Sequence, residues 1–510
     1  MFHVKHLRGK IMFIQPNSII KIFHNVPLDN TYNHTLWFST LNLQNQYFHA
    51  NQNILKHTLT GQSYQRVAEP KMRVEVKADL LYDCNYIAFQ NTGFGQKWFY
   101  AFINSVEYVN NETSEITFEI DVMQTYLFDV ELKECFVERE HSITDNVGDN
   151  ILSEPVEIGD IICYQQASTS LFDSYVAVVA SAYNPDGQAG GYQGGLFSGV
   201  HYTPCLIDNE EQVQTTLEFL NTIVEANEQD AVVSIFLMPS SFYPTGSQVS
   251  VQVTKIAKNT KIHGDYIPRN KKLLTYPYNY LNIECGDNNA SYRYEWFADN
   301  EDNTCEFAMY GTVSCNPQIA LVPFGYNGVS IDHNNWNEKL VMKDFPQIAW
   351  SIDSFKAWLA QDATNVALSG MMNLISAPLG VGEVSAITST AQQVVDAFNR
   401  PNQARGVSSG TIDCATRSKN FYFRQMQISL EYAKVIDNFF DKYGYAIRLL
   451  KIPNRSSRPH WNYTKTNGCV AVGKCPTDDL YKICSIYDNG ITFWKNASEV
   501  GNYSLDNSPS

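Results

Sequence analysis

Residues 97–122 read KWFYAFINSVEYVNNETSEITFEIDV, and this stretch decides the fold class. Its first half is rich in aromatic residues, and the pair Asn110-Asn111 separates the two halves as a turn. In the second half, apolar residues alternate strictly with polar ones; the apolar positions are Ile116, Phe118, Ile120 and Val122. Alternation of period two predicts antiparallel strands with one packed face and one solvent-facing side.

The same pattern recurs elsewhere in the chain. Residues 72–80 (MRVEVKADL) alternate with Met72, Val74, Val76, Ala78 and Leu80 on one face, and residues 247–254 place Val249, Val251 and Val253 together. Two segments have helical spacing instead. One is residues 210–226, with Asp208 as N-cap; the other is residues 428–443, with an apolar face of Tyr432, Ile436, Phe439, Phe440 and Tyr443 and a stop at Gly444. The chain is therefore predicted to be mainly β, with a few helices.

Composition excludes several classes of protein. With 44% hydrophobic and 18% charged residues, the 510-residue chain is neither disordered nor a coiled coil. The net charge of −16 argues against tight binding of nucleic acid, which depends on Lys and Arg contacts to phosphate. The eleven cysteines are an odd number without a CxxC pair. They predict free thiols in a reducing cytoplasm and neither a disulfide framework nor structural zinc.

Short motifs that resemble binding or catalytic signatures lack the residues or the flanking sequence that those signatures require. Residues 468–475 (GCVAVGKC) have P-loop spacing but place Cys475 where Ser or Thr should bind magnesium. Residues 406–410 (GVSSG) match a nucleophile elbow, yet a polar stretch precedes them where a buried strand is required. A cluster of carboxylates is expected to be a solvated strand face; its members are Glu131, Glu134, Glu138 and Glu140. We therefore expect no catalytic residue, no metal, no cofactor and no enzymatic activity.

Residues 363–395 stand apart because Glu383 is their only charge. This stretch is too interrupted and too weakly apolar for a permanent membrane-spanning helix, which needs about 20 apolar residues. Two interpretations remain: a helix and loop packed within the protein, or a concealed segment that acts on membranes. A second unusual stretch, residues 184–199, is Gly-rich and nearly uncharged, which predicts a long loop.

Longer blocks carry a family resemblance. They are residues 25–38 (NVPLDNTYNHTLWF), 99–141, 437–445 (DNFFDKYGY), 458–469 (RPHWNYTKTNGC), 488–494 (DNGITFW) and 500–507 (VGNYSLDN). These blocks resemble the distal tail tube proteins, usually called tail knob proteins, of small short-tailed, protein-primed phages of the Bacillus type. Together they cover about half of the chain, at both ends.

The resemblance implies a structural virion protein, assembled in the bacterial cytoplasm and located at the tail tip. Antiparallel strands would form a hexameric, barrel-like tube that adjoins the proximal tail (lower collar) protein. Double-stranded DNA would pass through the lumen without specific binding. The implied segments are 1–165 (N-terminal tube), 166–270 (inserted knob), 271–352 (second tube), 353–412 (hydrophobic channel-blocking loop) and 413–510 (C-terminal tube).

The implied loop would plug the tube and then penetrate the host cell membrane during ejection. Its predicted membrane-active residues are Trp358, Leu359, Leu368, Met371, Met372, Leu374, Ile375, Pro378, Leu379, Val381, Glu383, Val384 and Ile387. Two other hypotheses stay open: a host receptor-binding adhesin that uses residues 184–199, and a wall-degrading enzyme. Residues 1–11 are basic and unpatterned, so we expect them to be dispensable.

Overall fold

The structure is a computed structural model that describes residues 17–62, 70–91, 95–169, 171, 175–183, 200–205, 218–219, 222–223, 225–243, 251–286, 288–312, 317–343, 345, 347–348 and 419–509. Several predicted features lie outside these residues. They are residues 1–11, the Gly-rich residues 184–199, most of the helix predicted at 210–226, the GVSSG motif and the entire predicted membrane-active loop.

The chain forms two compact units. Unit 1 contains Met1–Glu157, Arg269–Lys272 and Lys434–Ser510, and unit 2 contains Ile158–Pro268 and Leu273–Ala433. The described strands of both units pair antiparallel, apart from one parallel pair in unit 1 (Thr35–Leu36 with Ile491–Trp494), so the prediction of a mainly β chain is confirmed. The division into five segments made from the sequence stays a prediction.

The described residues of unit 1 form three sheets. The first has six strands in the order β3-β1-β5-β6-β7-β4; they are β1 (Ser18–His24), β3 (Leu55–Gln62), β4 (Lys71–Val74), β5 (Cys84–Gln90), β6 (Trp98–Asn110) and β7 (Thr113–Ile120). The second has the order β2-β25-β23-β9-β22; its strands are β2 (Thr35–Leu36), β9 (Cys135–Glu140), β22 (Tyr445–Lys451), β23 (Trp461–Asn467) and β25 (Ile491–Trp494). The third pairs β8 (Val130–Leu132) with β24 (Ala471–Gly473).

The hairpin β6–β7 forms where the sequence predicts it. Ile116, Phe118 and Ile120 are buried on one face, and the strands join through a turn after Asn110. Val122 continues the buried row but belongs to the short helix α2 (Val122–Thr125). The other described α-helices of the chain are α1 (Leu41–Asn45), α3 (Leu430–Tyr443) and α4 (Thr477–Asn489).

The part of unit 2 that the structure describes also forms three sheets. One has the order β10-β21-β15-β16, with β10 (Ile161–Ser168), β15 (Asn279–Cys285), β16 (Asn288–Tyr292) and β21 (Tyr422–Ile428). Another has the order β12-β11-β13-β20, with β11 (Tyr175–Ser181), β12 (His201–Cys205), β13 (Val232–Pro239) and β20 (Gln347–Ile348). The third has the order β14-β17-β18-β19, with β14 (Val251–Ala257), β17 (Thr304–Thr312), β18 (Gln318–Pro323) and β19 (Leu340–Met342).

Each unit has its own aromatic core. In unit 1, Phe48 stacks on Tyr86 with ring centroids 5.5 Å apart, and Trp461 lies 5.0 Å from Trp494. In unit 2, Phe297 and Tyr326 approach to 4.6 Å, and residues from all three sheets share one hydrophobic cluster. Since aromatic side chains bury 150–250 Å² each, these pairs account for the high aromatic content of the sequence.

Two of the alternating runs differ from prediction. Strand β4 ends at Val74, and Leu80, expected on the packed face, is 48% exposed because a 3-10 helix (Ala78–Leu80) lets Leu81 take the buried position. The valines of β14 also depart from the expected packing. Val251 and Val253 are exposed, because the opposite face of the strand is the one that packs, with Ile256 against the core of unit 2.

Helix α3 ends at Gly444 as predicted, but its buried face is different. The buried residues are Ala433, Ile436, Asp437, Phe440 and Asp441, whereas the predicted members Tyr432 and Tyr443 are each 37% exposed. The helix is oriented by a buried carboxylate, which a hydrophobic pattern cannot reveal. Asp437 accepts hydrogen bonds from the backbone N–H groups of Arg269 and Asn270, both at 3.0 Å.

Carboxylates fix the short segment Arg269–Lys272 in unit 1. Besides Asp437, the carboxylate of Asp441 accepts from the Asn270 side chain at 2.8 Å, and that of Asp145 accepts from the Lys271 N–H at 3.1 Å. Glu154 forms ion pairs with Lys272 and Arg139. The four residues of this segment are thus held by polar contacts with carboxylates. Each polar group in these contacts has a partner that offsets the cost of its desolvation.

The prediction that the four glutamates of residues 131–140 form a solvated strand face is wrong for Glu140. Glu140 is only 1% exposed; it forms an ion pair with Lys451 and accepts a hydrogen bond from the Asn454 N–H at 3.0 Å. By contrast, Glu131 and Glu138 are well exposed and form ion pairs with Lys133 and Lys465. Glu138 and Glu140 lie on the same strand β9, and Glu140 differs in its partners, the Lys451 ammonium of the neighbouring strand β22 and the Asn454 N–H.

Asp121 provides a test of the unit 1 core. Its carboxylate caps helix α2 through the N–H groups of Met123 and Gln124 and accepts from the Tyr86 hydroxyl at 2.8 Å. Burial raises the pKa of Asp121 to about 6, so the folded state binds a proton more tightly than the unfolded state. This group therefore stabilises the fold most below pH 4, and its contribution falls as pH rises from 4 to 6.

We predict that Asp121→Asn, which keeps an oxygen acceptor without the charge, gains stability relative to wild type as pH rises. The relative gain between pH 4 and pH 7 should be about 2–3 kcal/mol, read from urea unfolding at both pH values. The control Asp121→Ala removes the acceptor and should be less stable than Asp121→Asn at both. A difference between wild type and Asp121→Asn that is independent of pH would contradict the argument.

Candidate functional site

The described residues offer no chemical site of the usual kinds. Within them, no group of three or more His, Cys, Asp or Glu side chains is arranged to hold a metal ion. No described helix has the length and apolar character needed to cross a membrane. A shallow cleft in unit 1 is lined mainly by apolar residues, among them Met123 and Tyr487, with Arg455 at its side. Its cavity volume of about 10 Å³ is room for about one water molecule and not for a small-molecule ligand.

The rejected P-loop motif is a turn followed by a strand, as the sequence indicates. Gly468 has a positive φ of 73°, and Gly473 ends β24. A Cβ on Gly473 would lie 2.4 Å from the Asp129 carbonyl oxygen, so that glycine is required by close strand packing. The chain then enters helix α4 after Pro476.

The contact between described residues on the two sides of residues 349–418 is the first candidate feature. Before this stretch, Phe345 is 2% exposed; after it, Lys419 is 5% exposed. The Lys419 Nζ lies 5.0 Å from the centre of the Phe345 ring, within the range of a cation–π interaction. We call these two residues, with Thr169 and Phe421, the neck.

Hydrogen bonds fix the C-terminal side of the neck, at residues 420–421. The Phe421 N–H donates to the Thr169 Oγ1 at 3.1 Å, and the Thr169 N–H donates to the Phe421 carbonyl at 3.0 Å. The Leu171 N–H donates to the Asn420 side chain at 3.2 Å. Phe421 itself is fully buried. The neck therefore belongs to the packed core of unit 2 and fixes both ends of the intervening segment close together.

A polar sheet face is the second candidate feature. On the sheet β10-β21-β15-β16, Arg424 pairs with Glu284 and donates to the Gln166 side chain at 3.0 Å. Ser291 donates to Asn282 at 3.3 Å. These side chains neutralise one another, so the face offers no cluster of unpaired positive charge that would bind phosphate strongly.

Open sheet edges are the third candidate feature. Strand β10 is an edge strand with seven of its eight residues exposed, and β14 is an edge strand that exposes Val251 and Val253. In unit 1, the edge strand β22 exposes Leu449 and Leu450, the latter to 78%. Long edges with apolar side chains are templates for pairing with another chain.

Comparison with known proteins now identifies the family. Residues 242–508 match the family model described as the C-terminal domain of the tail knob protein gp9 of Bacillus phage phi29. The chain belongs to this tail knob family. Residues 16–131 also match a model of the N-terminus of caudoviral major tail proteins.

Relatives of the tail knob family align along nearly the whole chain. The tail knob proteins gp9 of Bacillus phages PZA, B103 and phi29 are each 24% identical, over 96% of this chain and 98% of the relative. The tail knob protein gp12 of bacteriophage C1 has a similar structure, with a TM-score of 0.61 at 15% identity, over 96% of this chain and 99% of that one. The resemblance inferred from sequence blocks is confirmed.

The predicted membrane-active residues, from Trp358 to Ile387, all lie outside the described residues, so their role stays a prediction. Sequence reasoning missed the neck. Its signal was weak: a pair of aromatic residues, Phe421 and Phe423, about 25 residues after the end of the weakly charged stretch. Nothing in the sequence relates Lys419 to Phe345, which lies 74 positions earlier.

We predict that Thr169→Val weakens unit 2 although it keeps the shape of the side chain. The substitution leaves the buried Phe421 N–H without its acceptor, which should cost about 1–3 kcal/mol in urea unfolding. Thr169→Ser retains the hydroxyl and serves as the matched control, with a smaller loss. Equal stability of the Val variant and wild type would show that this hydrogen bond does not hold the neck.

Proposed function

We propose that this chain is a structural component of the distal tail of a short-tailed phage, which forms a hexameric tube and knob for genome ejection. The observation that carries the proposal is the family match across residues 242–508, together with the open sheet edges in both units. The role needs no catalytic chemistry, and the protein is proposed not to be an enzyme. Assembly would take place in the host cytoplasm, against the proximal tail protein.

Exposed edges support assembly into a closed ring. A strand such as β10, exposed along seven of eight residues, leaves unpaired backbone groups unless a neighbouring subunit covers them. Leu449 and Leu450 on β22 present apolar surface beside the same kind of edge. Closed symmetric rings satisfy such surfaces on every subunit, because each edge meets the same partner surface.

The acidic charge suits a conduit for DNA. Each chain carries a net charge of −16, which a ring multiplies by its number of subunits. DNA phosphates adhere to clustered Lys and Arg, and they are repelled by acidic surface. On the polar sheet face, the cation of Arg424 is paired with Glu284. Double-stranded DNA could then move through the lumen without a stable complex.

We predict a six-fold ring with a central channel in negative-stain images, and a hexamer mass in light scattering. Leu450→Lys on β22 should raise the protein concentration needed for assembly at least tenfold. The substitution places a charge where a 78% exposed apolar side chain lies at the sheet edge. Leu80→Lys, also at an exposed leucine but away from a sheet edge, is the control. A monomeric wild type that binds host cell walls would favour the alternative role of a receptor-binding adhesin.

The neck supports a second part of the proposal: that residues 353–412 plug the tube and then penetrate the host membrane. Phe345 and Lys419 lie together in the core of unit 2, so a displacement of the residues between them would leave these two anchors packed. Its composition, with Glu383 as the single charge in residues 363–395, suits contact with lipid. Burial of Glu383 at a bilayer centre would cost about 2.5–3.5 kcal/mol or less.

We predict that the protein releases dye from liposomes, and that replacement of residues 363–395 by a Gly/Ser linker of equal length abolishes release. Mild acid should increase release by wild type, because a protonated Glu383 enters lipid at lower cost. Glu383→Gln should release dye equally at pH 7 and pH 5. Each variant must still form rings, so that loss of release is not loss of folding. Leakage that survives the linker replacement would refute the membrane role.

A further inference from the structure

A buried histidine connects three parts of unit 1. His141 directly follows β9 and is 2% exposed. Its Nδ1 atom accepts a hydrogen bond from the Tyr463 N–H of β23 at 2.8 Å, and its Nε2 atom lies 2.9 Å from the Asp441 carbonyl oxygen of α3. The Trp461 Nε1–H donates to the same carbonyl oxygen at 2.7 Å. We call these four residues the histidine junction.

The two backbone partners determine where the proton of the imidazole ring lies. An N–H group can only donate, so Nδ1 must be the unprotonated acceptor; a carbonyl can only accept, so Nε2 must carry the proton. His141 is therefore neutral in the folded chain. A second proton could enter the ring only at Nδ1, where it would face the Tyr463 N–H and break that hydrogen bond.

Further hydrogen bonds hold the histidine junction in place. The His141 N–H donates to the Tyr463 carbonyl at 3.1 Å, and the Ser457 hydroxyl donates to the His141 carbonyl at 3.0 Å. The Asp441 carbonyl is one of the last four of α3, which lack an N–H partner within the helix. The side chains of His141 and Trp461 supply the donors instead, so this histidine joins the end of α3 to β23.

Positive charges near the ring oppose its protonation. Arg139 lies two residues earlier on β9, and Arg458 lies in the connection before β23 and is 3% exposed. Burial, and then the charges of Arg458 and Arg139, lower the pKa of His141 to about 3. On β23, burial raises the pKa of Tyr463 to about 12, so its hydroxyl is neutral and offers no compensating charge.

Carboxylates in this part of unit 1 are already engaged. On α3, Asp441 and Asp437 accept hydrogen bonds from the segment Arg269–Lys272. On β9, the carboxylate of Glu140 is engaged by an ion pair and a backbone N–H. A protonated ring would be a buried cation, and none of these three carboxylates is free to pair with it, which makes protonation costly in the folded chain.

The direction of the pH effect follows from these contacts. An imidazole in an unfolded chain has a pKa of about 6.5, so the open form of the junction binds a proton more readily than the closed form does. Closure is therefore fully favourable above about pH 6.5, and it weakens as pH falls from there to about 3. Within that range each pH unit lowers the ratio of closed to open junction about tenfold.

We propose that the histidine junction is an acid-sensitive latch, in which uptake of a proton at Nδ1 of His141 displaces the Tyr463 N–H and releases the end of α3 from β23. At neutral pH the latch is closed, and in mild acid this part of unit 1 opens locally. Every contact of the latch lies in unit 1 of one chain, so the inference does not depend on the proposed assembly. A chain that forms no ring would count against the proposed function and leave the latch unaffected.

Amide hydrogen exchange of the full chain, read by mass spectrometry, tests the latch. His141→Gln retains a donor at the position of Nε2, and His141→Asn retains an acceptor at the position of Nδ1, but neither side chain titrates. Relative to these variants, protection of the β23 amides in wild type should fall about seventyfold between pH 6 and pH 4. The ratio removes the pH dependence of chemical exchange. His24→Gln, which replaces a partly exposed histidine of the same unit, is the control and should behave as wild type.

A second measurement on wild type decides the question if neither variant folds. Exchange of the imidazole C2 hydrogen reports the protonation of an individual histidine, and cleavage after Glu140 and Glu154 gives a peptide in which His141 is the only histidine. We expect its exchange rate to stay constant from pH 8 to pH 5. A decrease with a midpoint near pH 6.5 in the folded chain would overturn the proposal, and so would equal pH dependence of β23 protection in wild type and both variants.

Discussion

The unpaired backbone N–H and C=O groups of edge strands are the constraint on which this structure depends. The described residues of each unit form open sheets, and several edges carry exposed apolar side chains, with Leu450 as the most exposed example. An N–H or C=O group in water loses little when it stays solvated, but an apolar row beside it favours pairing with another chain. A sheet of this kind is most stable when closure or assembly removes its edges, as in barrels.

Within unit 1, buried charged groups impose a second constraint. Strands satisfy their own backbone through pairing, but the segment Arg269–Lys272 has no strand partner of its own and depends on carboxylates. Asp437 and Glu154 are buried or pair with buried partners, so removing one member would leave a charge without compensation. A polar network of this kind fixes where the chain passes more strictly than apolar contacts could, because hydrogen bonds are directional.

The sequence predicts local structure well and long-range polar contacts poorly. The β6–β7 hairpin and the end of α3 at Gly444 follow from alternation and from the positive φ of glycine, both of which are properties of neighbouring residues. The burial of Asp437 and Glu140 depends on partners far away in the chain. A hydrophobic pattern predicts that every carboxylate is exposed, so it misses both residues. The contact of Lys419 with Phe345 is invisible for the same reason.

The neck explains how one chain can combine a rigid core with a segment of very different composition. Once Phe345 and Lys419 lie together, the length of the chain between them adds little to the cost of folding, since loop-closure entropy grows only with the logarithm of length. The low charge of residues 363–395 fits the proposed contact with lipid, because a charged side chain at a bilayer centre costs about 2.5–3.5 kcal/mol and this stretch carries Glu383 alone. The proposed membrane role therefore depends on composition, whereas the neck depends on packing.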